Sequence, residues 1–357
     1  MNTIKKVIVL LVMLGILVLI LDGTSDFLLY ARVQHHKNQE IYNRTNLLKK
    51  MLPNSVVQAE YIENFIETQK YLKYHYIPFI GKMAIPGDHG IYHIDEQGRR
   101  ILTTKAHDAK TPQKRLLILG SSQSFGYYNN DAQSFAAQLE NLLPEYVIDN
   151  YSVPSQSTAL NLVNWRRITS SGHKYDLAII VNGPIDFYSE CFENPEILSQ
   201  WQMEQSDKYQ LPALISIPRI IIQKISTIEA NPSGCQSASE QTHMVQQITF
   251  RFQQLLDYGR SLNTKTLIFI PPVPWGNRAN IDNVKIQLGP DKEVLAQLMK
   301  KLEPISKKHE EIIDLNHIYD HHKEQFFLDG FGHLTVNGNK LLAKYIATYV
   351  EQNVPID

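Results

Sequence analysis

The sequence predicts an α/β fold with a parallel sheet, on three observations. Apolar runs such as Leu116-Leu-Ile-Leu119, Leu177-Ala-Ile-Ile-Val181 and Leu267-Ile-Phe-Ile270 lack the polar alternation of a sheet wetted on one face. Between them lie longer stretches with apolar residues at three-to-four spacing, the mark of helices. Strand and helix signals then repeat in alternation along the chain, which is the pattern of helices crossing over a parallel sheet.

Taken in order, the chain of 357 residues begins with Lys5-Lys6 and then an uncharged run, Val7 to Leu21. A span needs about 20 residues, and extending the run through Ile4 and toward Phe27-Leu-Leu-Tyr30 reaches that length. A cleavable signal would carry small residues in an A-x-A-like arrangement after the apolar core. Leu21-Asp-Gly-Thr-Ser-Asp26 does not supply one. The reading is an uncleaved signal anchor with the membrane as partner through residues 7–21. The two lysines place the N-terminus in the cytoplasm and the rest outside it.

Residues 31–111 read as a helical stalk followed by short strands. Val57, Tyr61, Ile62, Phe65, Ile66 and Tyr71 recur at helical spacing, and Pro53 separates this helix from an earlier one. Tyr76 to Gly81 and Gly90 to Gly98 read as short strands or a hairpin. The third domain, 112–357, carries strands at 115–119, 146–150, 176–181, 266–270 and 311–315. Helices are expected at 135–143, 159–168, 243–261, 291–308 and 338–350. An insertion rich in proline and aromatics, at about 187–240, interrupts the alternation and holds both cysteines, Cys191 and Cys235. Outside the cytoplasm they can join as a disulfide; two separate buried thiols is the alternative.

A formal net charge of −1 provides no basic field, so nucleic acid is not an expected partner. No metal-ligand spacing of Cys and His is present, and neither metal nor cofactor is expected.

Chemistry concentrates where strands end. Leu116 to Gly126 delivers Ser122 between Gly120 and Gly126, at the turn from strand to helix. A serine there is a nucleophile once a base takes its proton; a turn and capping serine is the bland alternative. Near the other end, Asp329-Gly-Phe-Gly-His333 offers the base, His333, and an acid to orient it, Asp329. Ser122, Ser152 and Asp186 all follow strands, so an open sheet gathers them on one edge.

Ser122 with its glycines, the loop Asn150-Tyr-Ser-Val-Pro-Ser155, the segment Asn182-Gly-Pro-Ile-Asp186 and the late Asp–His, in this order, resemble the SGNH (GDSL-like) hydrolases. The resemblance covers residues 112 to 350, and the upstream piece looks like that of membrane-anchored members. It implies a flavodoxin-like three-layer α/β/α fold with a five-stranded parallel sheet. It also implies a serine esterase, lipase, carbohydrate deacetylase or acyltransferase. The anchor, holding the site beside the membrane, points to O-acyl groups of surface glycans or lipids as substrate. Carried over by position, Ser122, His333 and Asp329 are catalytic. The oxyanion donors are the Ser122 N–H and the N–H of Ser152, which stands where the family usually has glycine; Asn182, three residues before Ile185, is no part of the family pattern and is read as a helper. The main departure is Ile185, which replaces the asparagine of G-x-N-D. Losing one such donor costs about a hundred- to a thousand-fold in rate. Ile185 therefore supports a rival reading, a binding or assembly protein of the cell envelope on the same scaffold. A third is a lipid-handling protein with the 187–240 insertion as its lid.

Overall fold

The computed structural model describes residues 56–77, 81–102, 114–191, 234–276 and 292–354, with isolated positions between 13 and 49 and between 278 and 284. Apart from Met13, the anchor expected at 7–21 lies outside the described residues, as do residues 192–233 of the expected insertion. Among the described residues no helix is long and apolar enough to cross a membrane.

The first described helix, α1 (Val56–Tyr71), precedes a hairpin of β1 (Tyr74–Ile77) and β2 (Gly81–Ala84). A second, smaller antiparallel pair follows, β3 (Gly87–Asp88) with β4 (His93–Ile94). Then comes the alternating part: β5 (Lys114–Gly120), the one-turn helix α2 (Ser122–Phe125), a 3-10 turn at Asp131–Gln133 and α3 (Phe135–Leu142). β6 (Tyr146–Asn150), α4 (Thr158–Ser170), β7 (Leu177–Val181) and α5 (Pro184–Cys191) continue it. The rest is α6 (Ala238–Ser261), β8 (Lys265–Ile270), α7 (Lys292–Ser306), β9 (Ile312–Asp314) and α8 (Val336–Asn353).

The five strands β5 to β9 form one parallel sheet in the order β6-β5-β7-β8-β9. This is the flavodoxin-like order, and the sheet is the one the sequence predicts. Neighbouring strand residues point to opposite faces, and both faces are covered. Leu116, Ile118, Ile179 and Phe269 pack against Phe135 and Leu139 of α3 and Leu342 and Ile346 of α8. Leu117, Leu119, Ile180 and Ile268 pack against Trp165 of α4, Ile248 and Phe252 of α6 and Leu298 of α7. Strands buried on both sides have no room for polar side chains, which is why they read as unbroken apolar runs.

One element differs from the sequence reading. The segment 183–191 was expected to be loop and insertion, yet α5 runs through it. Pro184 pre-sets the backbone of the first turn and Asp186 adds an acid there, both favourable at a helix start. The cysteines are joined, Cys191 at the end of α5 to Cys235 just before α6, across a sequence separation of 44.

The upstream segment is woven into the sheet edge. Arg100 bridges Asn150 of β6, donating its N–H to the Asn150 carbonyl at 2.9 Å. Buried Asp149 pairs with both Arg99 and Arg115 and accepts from the Tyr175 hydroxyl at 3.0 Å.

Candidate active site

In an open sheet the crevice forms where the strand order reverses, outside the carboxyl ends. Here that point lies between β5 and β7, and Ser122 follows β5 directly. Gly120 permits the close approach: a Cβ there would sit 2.2 Å from Ser124 Oγ and 2.3 Å from the Val181 carbonyl. Gly126 closes the turn in the left-handed region at φ 78°, where the added Cβ of any other residue would meet Ser134 at 2.7 Å. Because α2 has only four residues, its first N–H groups lack intrahelical acceptors. Among the described residues nothing accepts from the Ser122 N–H.

His333 and Asp329 form a built pair. Asp329 Oδ2 lies 2.5 Å from His333 Nδ1, while its Oδ1 accepts from the backbone N–H of Phe331 at 3.0 Å and of His333 at 3.2 Å. One carboxylate therefore folds the loop and orients the ring. Both side chains keep only about a tenth of their surface (11% and 10%), so the contact is largely shielded from water.

The His333 loop is fastened to the Ser122 turn. Gln123 donates Nε2 to the Gly332 carbonyl at 2.7 Å and to the Pro272 carbonyl at 2.8 Å. Asn129 Nδ2 reaches the Leu334 carbonyl at 3.0 Å. The His333 ring packs beside Tyr127 and edge-on to Tyr128, with centroids at 5.0 and 4.9 Å. These bonds hold the turn and the loop at one mouth of the sheet. No hydrogen bond joins the Ser122 hydroxyl to His333 among the described residues.

The remaining predicted donors are committed elsewhere. The Ser152 N–H donates to Asn150 Oδ1 at 3.0 Å, whereas the buried Ser152 hydroxyl has no partner among the described residues. Asn182 donates Nδ2 to the Gln156 carbonyl at 2.9 Å and accepts the Gly183 N–H at 2.9 Å, so its carboxamide ties two loops together. Ile185, partly exposed at the start of α5, brings no polar group.

Asp186 is fully buried and supports α4. It accepts from the Thr158 N–H at 3.0 Å and hydroxyl at 2.7 Å, and from Arg251 at 2.8 Å. Burial pushes its carboxyl above the usual range, against the pull of Thr158 and Arg251. No group of carboxylates, histidines and cysteines able to hold a metal occurs among the described residues.

Helix α1 reaches this mouth. Phe65 packs on Tyr128 with ring centroids 5.4 Å apart, and the Tyr61 hydroxyl accepts the Val336 N–H at 2.8 Å. Burial moves the Tyr61 hydroxyl up to about 12. Sequence reasoning missed Gln123, Asn129 and Asn150 as site-building residues. A glutamine beside the serine was the one visible sign, since the bonds it makes span more than a hundred residues.

No protein-family model matches the chain, and no curated protein matches it. Among solved structures, it is similar to a member of the lipolytic protein G-D-S-L family from Veillonella parvula, at 11% identity and TM-score 0.42, covering 67% of this chain and 99% of that one. It is similar also to an acetylxylan esterase from Geobacillus stearothermophilus, at 14% identity and TM-score 0.39, covering 68% and 95%. A third is a psychrotrophic esterase from Pseudoalteromonas sp., at 11% identity and TM-score 0.37, covering 67% and 98%.

Proposed function

We propose that this protein is a serine acyl-ester hydrolase or acyltransferase with Ser122 as nucleophile. The observation that carries the reading is the Asp329–His333 pair, on a loop that Gln123 fastens to the Ser122 turn. Asp329 holds the proton on Nδ1, leaving Nε2 to take the proton of Ser122 as Oγ attacks the acyl carbonyl. The Ser122–His333 contact then tightens when substrate binds, as catalytic hydrogen bonds of free enzymes commonly do. The tetrahedral oxyanion forms at the Ser122 N–H. The Ser152 N–H, the second donor by position, serves Asn150 Oδ1 in the free protein. His333 returns the proton to the departing alcohol, and water or an acceptor hydroxyl releases the acyl group from Ser122.

The substrate class we propose is an O-acyl group on a surface glycan or lipid. Its support is the apolar run at residues 7–21, which would tether the site beside a membrane and outside the cytoplasm. The Cys191–Cys235 disulfide suits such a compartment.

A labelled fluorophosphonate tests the mechanism. Labelling of the wild type that disappears in Ser122→Ala supports it. A folded wild type that resists labelling points to the second reading, a binding or assembly protein, which Ile185 and the committed Asn182 favour.

A further inference from the structure

The turn carrying Ser122 is held by an unusual set of bonds. Six consecutive carbonyls, from Ser124 to Asn129, each accept a hydrogen bond from a side chain. Asn150 takes Ser124 at 3.0 Å, Asn129 takes Tyr127 at 3.1 Å, and Asn64 takes Tyr128 at 3.2 Å. The other three belong to one guanidinium. Arg100 Nη1 donates to the carbonyls of Phe125 and Gly126, the latter at 3.0 Å, and Nη2 to that of Asn129 at 2.8 Å.

Arg100 is itself fixed on every side. Its residue is 1% exposed. Nε donates to Asp131 Oδ1 at 2.8 Å, and the guanidinium lies over the rings of Tyr92 and Phe125 at 4.7 and 5.0 Å. Asp131 in turn holds His93 Nδ1 at 2.5 Å. The Arg100 main chain bonds Asn150, whose side chain holds both the Ser124 carbonyl and the Ser152 N–H. A one-turn helix leaves its last carbonyls without intrahelical donors. Burying a charge is tolerated only where it is paired and fully hydrogen-bonded. Both requirements are met by the same contact.

We propose that Arg100, supplied by the segment upstream of the sheet, is a positioning residue that fixes the Ser122 turn for nucleophilic attack. This rests on the reading of Ser122 as nucleophile. Only a planar fork with several donors spans three carbonyls at once, so lysine, with the same charge, does not replace it. Misplacing a reacting group by about 1 Å costs about a hundred-fold in rate, so the effect belongs to the covalent step and not to affinity.

The test is the fluorophosphonate reaction of the full chain, resolved into a maximal inactivation rate and an inhibitor constant. It is run on wild type, Ser122→Ala, Arg100→Lys and Arg115→Lys, with melting curves for each. Arg115 pairs with the buried carboxylate of Asp149 away from the turn and controls for the change of an ion-paired arginine to lysine. Arg100→Lys is expected to lower the maximal rate about a hundred-fold with the inhibitor constant little changed, while Arg115→Lys leaves the rate as it is. A wild-type rate in folded Arg100→Lys overturns the positioning role alone. Wild-type protein that resists labelling overturns it together with the hydrolase reading. Should Arg100→Lys fail to fold, Asp131→Asn decides: a reduced maximal rate supports the role, and an unchanged one refutes it.

Discussion

Replacing Asp329 by asparagine isolates what the acid does. Three hydrogen bonds reach its carboxylate: Phe331 N–H at 3.0 Å and His333 N–H at 3.2 Å on Oδ1, and His333 Nδ1 at 2.5 Å on Oδ2. In Asp329→Asn the carbonyl oxygen still serves the two backbone donors, so the loop keeps its turn. An NH2 group now faces Nδ1. The ring must accept there, which moves its own proton to Nε2. An imidazole protonated at Nε2 cannot take the proton of Ser122, and the equivalent change in serine proteases lowers kcat about ten-thousand-fold. The fold loses one charge-assisted bond, at a cost of about 1–3 kcal/mol. Hydrolysis of a short-chain aryl ester, followed beside a melting curve, should show kcat falling about ten-thousand-fold with KM within about threefold. Asp329→Ala, which also gives up the turn, should melt lower than the asparagine variant. An asparagine variant retaining kcat within about tenfold of wild type would show that Asp329 does not set the ring's tautomer.

Reducing the Cys191–Cys235 bond frees a loop of sequence separation 44, worth about 4 kcal/mol by loop-closure entropy. Melting with and without reductant should differ, and a Cys191→Ser, Cys235→Ser double variant should no longer respond. Gly120→Ala places a methyl 2.3 Å from the Val181 carbonyl, and backbone cannot yield as a side chain does. The loss should reach about 3 kcal/mol or more in urea titrations, and a near-normal midpoint would mean the two strand ends part easily. His93 has its pKa raised, chiefly by its bond to Asp131, helped by charge from Asp131 and Asp88 and opposed by burial and Arg100. A raised folded-state pKa favours the charged ring, so its stabilisation is complete below about pH 6.5 and fades as pH climbs through the higher folded value. His93→Gln should flatten that part of the stability–pH profile; an unaltered slope would assign it to another group.

The sheet was legible because its strands are buried on both faces, and burial of that kind leaves a continuous apolar run. The serine, histidine and aspartate stood out because residue type, turn glycines and order along the chain are local or ordinal features. What hid were bonds across the fold. Asn182 and Ser152 carry the right groups at the right strand ends. Whether those groups are free depends on Gln156 and Asn150, which sit 26 and 2 residues away. Arg100 offered no signal at all, since nothing near it in the chain says that its guanidinium meets carbonyls 25 to 29 residues on. Helix α5 was hidden by composition: a proline after a strand reads as a stop, yet at the first helical position it is a start.

The disulfide has a further consequence for how this chain can change. Cys191 ends the helix that springs from the mouth of the site, and Cys235 lies two residues before the cap of the 24-residue helix behind the sheet. The bond sets the two ends of the intervening segment at a Cα separation of 5.4 Å, whatever lies between them. A change in the length of that segment would leave the end of α5 and the start of α6 tied at the same separation.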